Sequence, residues 1–197
     1  MEPDALPLLG VPDAPAQLVA FRYSSYDVPF WVRANTRDGR WNVAGGQPTQ
    51  YWALTPEAAW AELIRHENLR SEQELEFVRM SIWVCRVPVS MLVDLRIAAA
   101  RDKWQASDEE LTGDAWAPCQ SLGERLRIDA RGVIAPSAAL PGHDCLTLFG
   151  ARRPIAWSAT PALASAVPAA RVAIGRPPAG LIERVRLKAV PQDGRLF

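Results

Sequence analysis

A chain of 197 residues with 22 Lys+Arg and 22 Asp+Glu has no formal net charge, so neither a polyanion nor a membrane surface is indicated as its main partner. This length can bury a core in one domain without disulfide or metal staples. No apolar run approaches the roughly 18 residues a spanning helix needs, and MEPDALPLLGVPDAPAQ has neither the basic start nor the long apolar stretch of a secretory signal.

Residues 1–16 hold four prolines and little pattern, which predicts an extended arm. QLVAFRY and VPFWVR follow as strand candidates bounded by Ser, Asp or Pro. The polar, glycine-rich segment Thr36–Gly46 predicts a loop or tight turn, and Thr49–Leu54 a short strand. Thr55 and Pro56 form an N-cap and first-position proline pair, with Glu57 favouring the positive end of the helix dipole; the helix should reach His66 to Leu69. Glu76–Val87 is rich in β-branched and aromatic residues and predicts a strand, as does Met91–Leu95. Arg101–Gly113 and Cys119–Arg127 suit short helices, Gly132–Ala135 and Cys145–Phe149 buried strands, and Gly180–Leu187 a final strand after an Ala/Pro-rich stretch. Many short strands with few helices indicate an α+β fold in a single domain. The expected division is an arm over 1–16, a main body over 17–160, and a C-terminal extension over 161–197 packed on that body.

Several residues invite a chemical reading. Glu62 stands two turns into the Thr55 helix among alanines that leave room beside its carboxylate; it is either a ligand-site carboxylate or one half of a surface pair with Arg65 or His66. Arg22, inside VAFRYSSY, is either a phosphate clamp at a strand end or an exposed strand arginine. In the Gly39-Arg40-Trp41-Asn42 turn, Arg40 has the same two readings, and Trp41 either stacks on a base or plugs the core. Tyr51 is a half-buried strand aromatic or a wall for a heterocycle. Ser137 follows a proline outside any GxSxG elbow and away in sequence from both histidines, so it donates to a ligand or caps a turn rather than serving a Ser-His-Asp hydrolase. His66 and His143 are too sparse for a metal site. Cys85, Cys119 and Cys145, odd in number and with no CxxC pair, fit reduced cytosolic thiols. No GxGxxG or GxxxxGK[ST] phosphate cradle occurs.

In order and type these elements resemble the RES domain family. The matching features are Arg22-Tyr23, Gly39-Arg40-Trp41-Asn42 with Gly45-Gly46, Tyr51, Thr55-Pro56-Glu57-Ala58-Ala59 with Glu62, and Pro136-Ser137-Ala138, with Ser121 a competing serine. The resemblance covers roughly residues 18 to 157. It implies a fold similar to ADP-ribosyltransferases and a toxin of a bacterial toxin–antitoxin pair. Such a toxin depletes NAD by breaking the nicotinamide–ribose bond, with phosphate or water as acceptor, so that NAD is substrate and no resident cofactor is needed. By the same resemblance Glu62, Arg22 and Ser137 are the catalytic set, and Tyr23, Arg40, Trp41 and Tyr51 bind substrate. The implied partner is an antitoxin with a helix-turn-helix DNA-binding domain; a homodimer is compatible, and direct nucleic-acid or membrane binding is not expected. A cytoplasmic location follows, an exported effector being the alternative. Competing readings are ADP-ribose transfer onto a macromolecule and a non-catalytic nucleotide- or partner-binding module.

Overall fold

Strand β1 (Gln17–Ser24) sends its apolar side chains to both faces of the sheet. Leu18 and Ala20 join one core with Trp52, Cys85 and Val167, while Phe21 and Tyr23 join another with Trp60, Leu63 and Ile64. A computed structural model describes residues 16–160, 163 and 165–189. Beyond β1 its strands are β2 (Thr49–Ala53), β3 (Met80–Pro88), β4 (Leu92–Asp94), β5 (Gly132–Pro136), β6 (Asp144–Phe149), β7 (Arg153–Ile155) and β8 (Ala166–Gly175). They form one mixed sheet in the order β4-β5-β6-β2-β1-β3-β8-β7. The outer pairs β4–β5 and β7–β8 are parallel and the rest antiparallel.

Helix α1 (Pro56–His66) lies on one face of the sheet. The Thr55 hydroxyl accepts the Ala58 N–H at 3.1 Å, and Pro56 opens the helix, as the sequence predicts. Ala58, Ala59 and Ala61 are buried against the sheet, so their small side chains let the helix approach closely. Helices α3 (Ala98–Trp104), α4 (Asp108–Thr112) and α5 (Ala117–Asp129) follow a one-turn helix α2 (Glu72–Leu75) and cover the β4–β5 end, where Leu111, Leu122 and Leu126 form a third cluster with Trp41 and Val133. This is the α+β architecture expected from the sequence.

Four local expectations are corrected. VPFWVR is not a strand: the Gln50 side chain occupies both polar groups of Trp31, accepting its N–H at 3.1 Å and donating to its carbonyl at 2.9 Å, so no neighbouring strand is needed. Glu76–Arg79 precedes the strand, because the Ser71–Glu74 capping box starts α2 and β3 begins only at Met80. Arg101–Gly113 divides into α3 and α4 at Gln105, which is left-handed at φ 54°. Gly180–Leu187 holds a 3₁₀ turn, Leu181–Arg184, behind left-handed Gly180. The Ala/Pro-rich stretch supplies β7 and β8 instead, and β8 joins the main sheet alongside β3. The predicted arm over 1–16 lies outside the described residues except for Ala16, whose carbonyl accepts the Val89 N–H at 2.9 Å.

Candidate active site

The end of β5, the start of β6 and the second turn of α1 converge on one carboxylate. Ser137 follows β5 and donates its hydroxyl to Glu62 Oε1 at 2.8 Å. The same hydroxyl accepts the N–H groups of Ala139 at 3.1 Å and Leu140 at 3.0 Å. One donor and two lone pairs complete a hydroxyl's capacity, so Ser137 is committed to orienting Glu62 and closing its own turn. From β6, the Cys145 thiol lies 3.3 Å from that oxygen. Burial, followed by the Glu62 charge, raises the Cys145 pKa well above the usual thiol range, leaving it a neutral donor.

The serine loop is tied at both ends. The Ser137 N–H donates to the His143 carbonyl at 2.8 Å, and His143 Nδ1 lies 2.9 Å from the Thr55 hydroxyl that caps α1. The Arg186 N–H donates to the Ala139 carbonyl at 2.8 Å. Arg65, one turn beyond Glu62, is 4% exposed and pairs with Asp114 and the Arg186 carbonyl. Its pKa is lowered by burial, against the opposing charges of Asp114 and Glu62, with Arg40 and Arg186 adding to the depression. Arg65 is therefore not the solvated partner of Glu62 that the helix spacing allows; His66, the other candidate, is exposed and 3.9 Å from Glu67.

The remaining candidates divide by position. Tyr23 shares the α1 face of the sheet; burial and then the nearby Glu62 charge push its pKa up. Arg22, the preceding residue, leaves the opposite face of β1 and is not brought to Glu62. It donates to the Pro29 carbonyl at 3.0 Å, lies 3.9 Å over the Trp31 ring, and is held by burial at a pKa of about 10. Trp41 is 3% exposed and plugs the α5 core. The Tyr51 hydroxyl accepts the Trp41 N–H at 2.9 Å and donates to Asn42 Oδ1 at 2.8 Å, which locks the turn. Gly39 is required there: a Cβ would stand 2.5 Å from the Tyr51 hydroxyl. Arg40 donates to the Gly113 carbonyl at 2.8 Å, while its Nη1 is buried without a partner. Among the described residues no group of His, Cys, Asp and Glu could hold a metal, and no helix is long and apolar enough to cross a membrane.

Sequence reasoning missed Cys145 as a site contact, because a cysteine in an apolar strand carries no positional signal. It missed Arg65–Asp114–Arg186, whose members meet only through tertiary packing. The arrangement offers a carboxylate with one oxygen engaged by two neutral donors, beside a tyrosine and close to the buried Arg65.

The chain is 30% identical over 112 residues to the "Probable NAD(+) phosphorylase Rv3189" of Mycobacterium tuberculosis (strain ATCC 25618 / H37Rv), a match covering 56% of this chain and 53% of that protein. The chain thus spans about half the length of that curated relative. Its fold is similar to a chain in the crystal structure of the M. tuberculosis MbcT-MbcA toxin-antitoxin complex, with a TM-score of 0.56 and 24% identity over 69% of this chain and 75% of that one. The RES domain profile matches residues 16–171, most of the chain and all of the Glu62–Ser137–Cys145 constellation, and this chain belongs to the RES domain family.

Proposed function

We propose that this protein is a toxin that depletes NAD by cleaving the bond between nicotinamide and ribose. The observation that carries the reading is the Ser137–Glu62 hydrogen bond at 2.8 Å, which fixes a carboxylate in a site built from three separate elements. Nicotinamide leaves NAD as a neutral molecule, so the leaving group needs little acid assistance. Positive charge develops instead on the ribose, and a pre-oriented carboxylate stabilises that charge without reorganising. Tyr23 offers an aromatic wall beside Glu62. Arg40, with an unpartnered buried nitrogen, offers a cation for the pyrophosphate.

The M. tuberculosis relative, named as a phosphorylase, favours phosphate as acceptor over water. The similar chain of known structure sits in a toxin-antitoxin complex, which favours an antitoxin as the protein that restrains the activity, with a helix-turn-helix domain as the family resemblance implies. Purified protein incubated with NAD, with and without inorganic phosphate, tests the reading. Nicotinamide release that depends on phosphate and yields a phosphorylated ribosyl product is expected. Release without phosphate names water, label from NAD appearing on a macromolecule names transfer, and no release by folded, partner-free protein overturns the enzyme reading.

A further inference from the structure

At the other end of β6 the sheet carries a concentration of arginine that the NAD reading does not use. Two adjoining hollows, of about 390 and 130 Å³, share Arg131 and Arg152 in their walls; Arg127 lines the larger and Arg86 the smaller. Among the described residues no aspartate or glutamate lines either hollow. The only carboxylate among them paired with any of the four arginines is Glu124, 3.2 Å from Arg127 Nε.

The guanidinium groups are only partly compensated by the protein's own groups. Arg152 is 6% exposed and donates only to backbone carbonyls, those of Ala151 at 3.0 Å and Arg131 at 3.2 Å. Burial and the neighbouring Arg131 charge lower its pKa to about 10. The Arg127 side chain is also 6% exposed; its Nη2 serves the Trp41 carbonyl and the Thr49 hydroxyl, while its Nη1 is buried without a partner. Arg86 Nε is likewise unpartnered. Cations without compensating anions are costly in a protein interior unless something of opposite charge joins them, and guanidinium forks match tetrahedral oxyanions bidentately.

We infer that this cleft is a second binding site, for a phosphate-type oxyanion, either inorganic phosphate or the phosphate of a small monoester. Phe149, over which Arg127 lies 4.4 Å from the ring, is four residues along β6 from Cys145. That spacing sets the cleft about 14 Å from the Glu62 contact, so occupancy here is separate from the bond-breaking site.

The test is a titration of the full chain with inorganic phosphate and, separately, with AMP, followed by backbone amide resonances. Saturable shifts at Gly150, Ala151 and Arg152 are expected, preserved in Glu62→Gln. The affinity read from those residues should weaken about tenfold or more in Arg131→Gln and Arg152→Gln. Arg131 is exposed, so Arg131→Gln decides the matter if Arg152→Gln does not fold. Tighter binding of AMP than of phosphate identifies a monoester as occupant, and equal affinity identifies free phosphate. Absence of saturable shifts at these three residues, or affinities unchanged in the folded arginine variants, overturns the proposal.

Discussion

Ser137 and Cys145, on separate segments of an antiparallel strand pair, both address the same oxygen, Oε1, of Glu62. Both contacts fall on Oε1 and leave the second oxygen, Oε2, engaged by neither group. Replacement by the isosteric amide should keep the packing and remove the charge. Glu62→Gln is expected to lower kcat by about 100- to 1,000-fold, with a thermal midpoint close to wild type. NAD consumption at the wild-type rate by this variant would remove Glu62 from the chemistry.

Ser137→Ala should act on the same carboxylate indirectly. It takes a donor from Glu62 and an acceptor from the Ala139 and Leu140 N–H groups, at a cost of about 1–3 kcal/mol in a denaturant titration. The activity loss should fall on kcat more than on KM, because the residue positions Glu62 and has no lone pair left for substrate. A rise in KM alone would instead mean that Ser137 contacts NAD.

Arg65 joins α1, Asp114 and the Arg186 carbonyl. Asp114 is half exposed, so the pair itself is modest in energy, and Arg65→Ala should cost about 1–3 kcal/mol. The more specific expectation is faster amide exchange at Arg186 and at Leu140, since the turn and the C-terminal segment lose their common anchor. Unchanged protection at both amides would show that Arg65 does not hold them.

Alkaline pH supplies a fourth expectation. Burial raises the pKa values of Cys85 and Cys119, and burial together with Glu62 raises that of Cys145. The unfolded chain therefore loses these protons at the usual thiol pKa, near 8.5, while the folded protein keeps them. Stability should be constant below that value and fall above it, by up to about 1.4 kcal/mol per pH unit for each thiol. Tyr23 and Tyr51, raised chiefly by burial, add to the fall at higher pH. Urea titrations between about pH 7.5 and 10 check the sign, and alkylation at about pH 8.5 should leave the folded thiols unreacted.

Elements with a strong local cause are legible in the sequence. Thr55-Pro56 predicts the start of α1, and the apolar run of QLVAFRY, bounded by Ser, Asp or Pro, predicts β1. Glu62 stands out because a carboxylate among alanines is locally unusual. What the sequence hides is settled by contacts distant along the chain: the Gln50 side chain replaces a strand partner for Trp31, and β3 recruits the unremarkable Ala/Pro-rich stretch as β8. Arg22 and Tyr23 show a different limit. Strand alternation sends adjacent residues to opposite faces of a sheet, so the two cannot both face Glu62, and only the packing of α1 decides which one does.

The bond from the Arg186 N–H to the Ala139 carbonyl also bears on timing. Chains emerge from the ribosome N-terminus first, so α1 and the serine loop exist before the segment that clasps them has been made. A nascent chain that has reached Cys145 already holds Glu62 and Ser137 but lacks the Arg186 clasp. The carboxylate site is therefore complete only once the Arg186 segment has been made and has joined the fold.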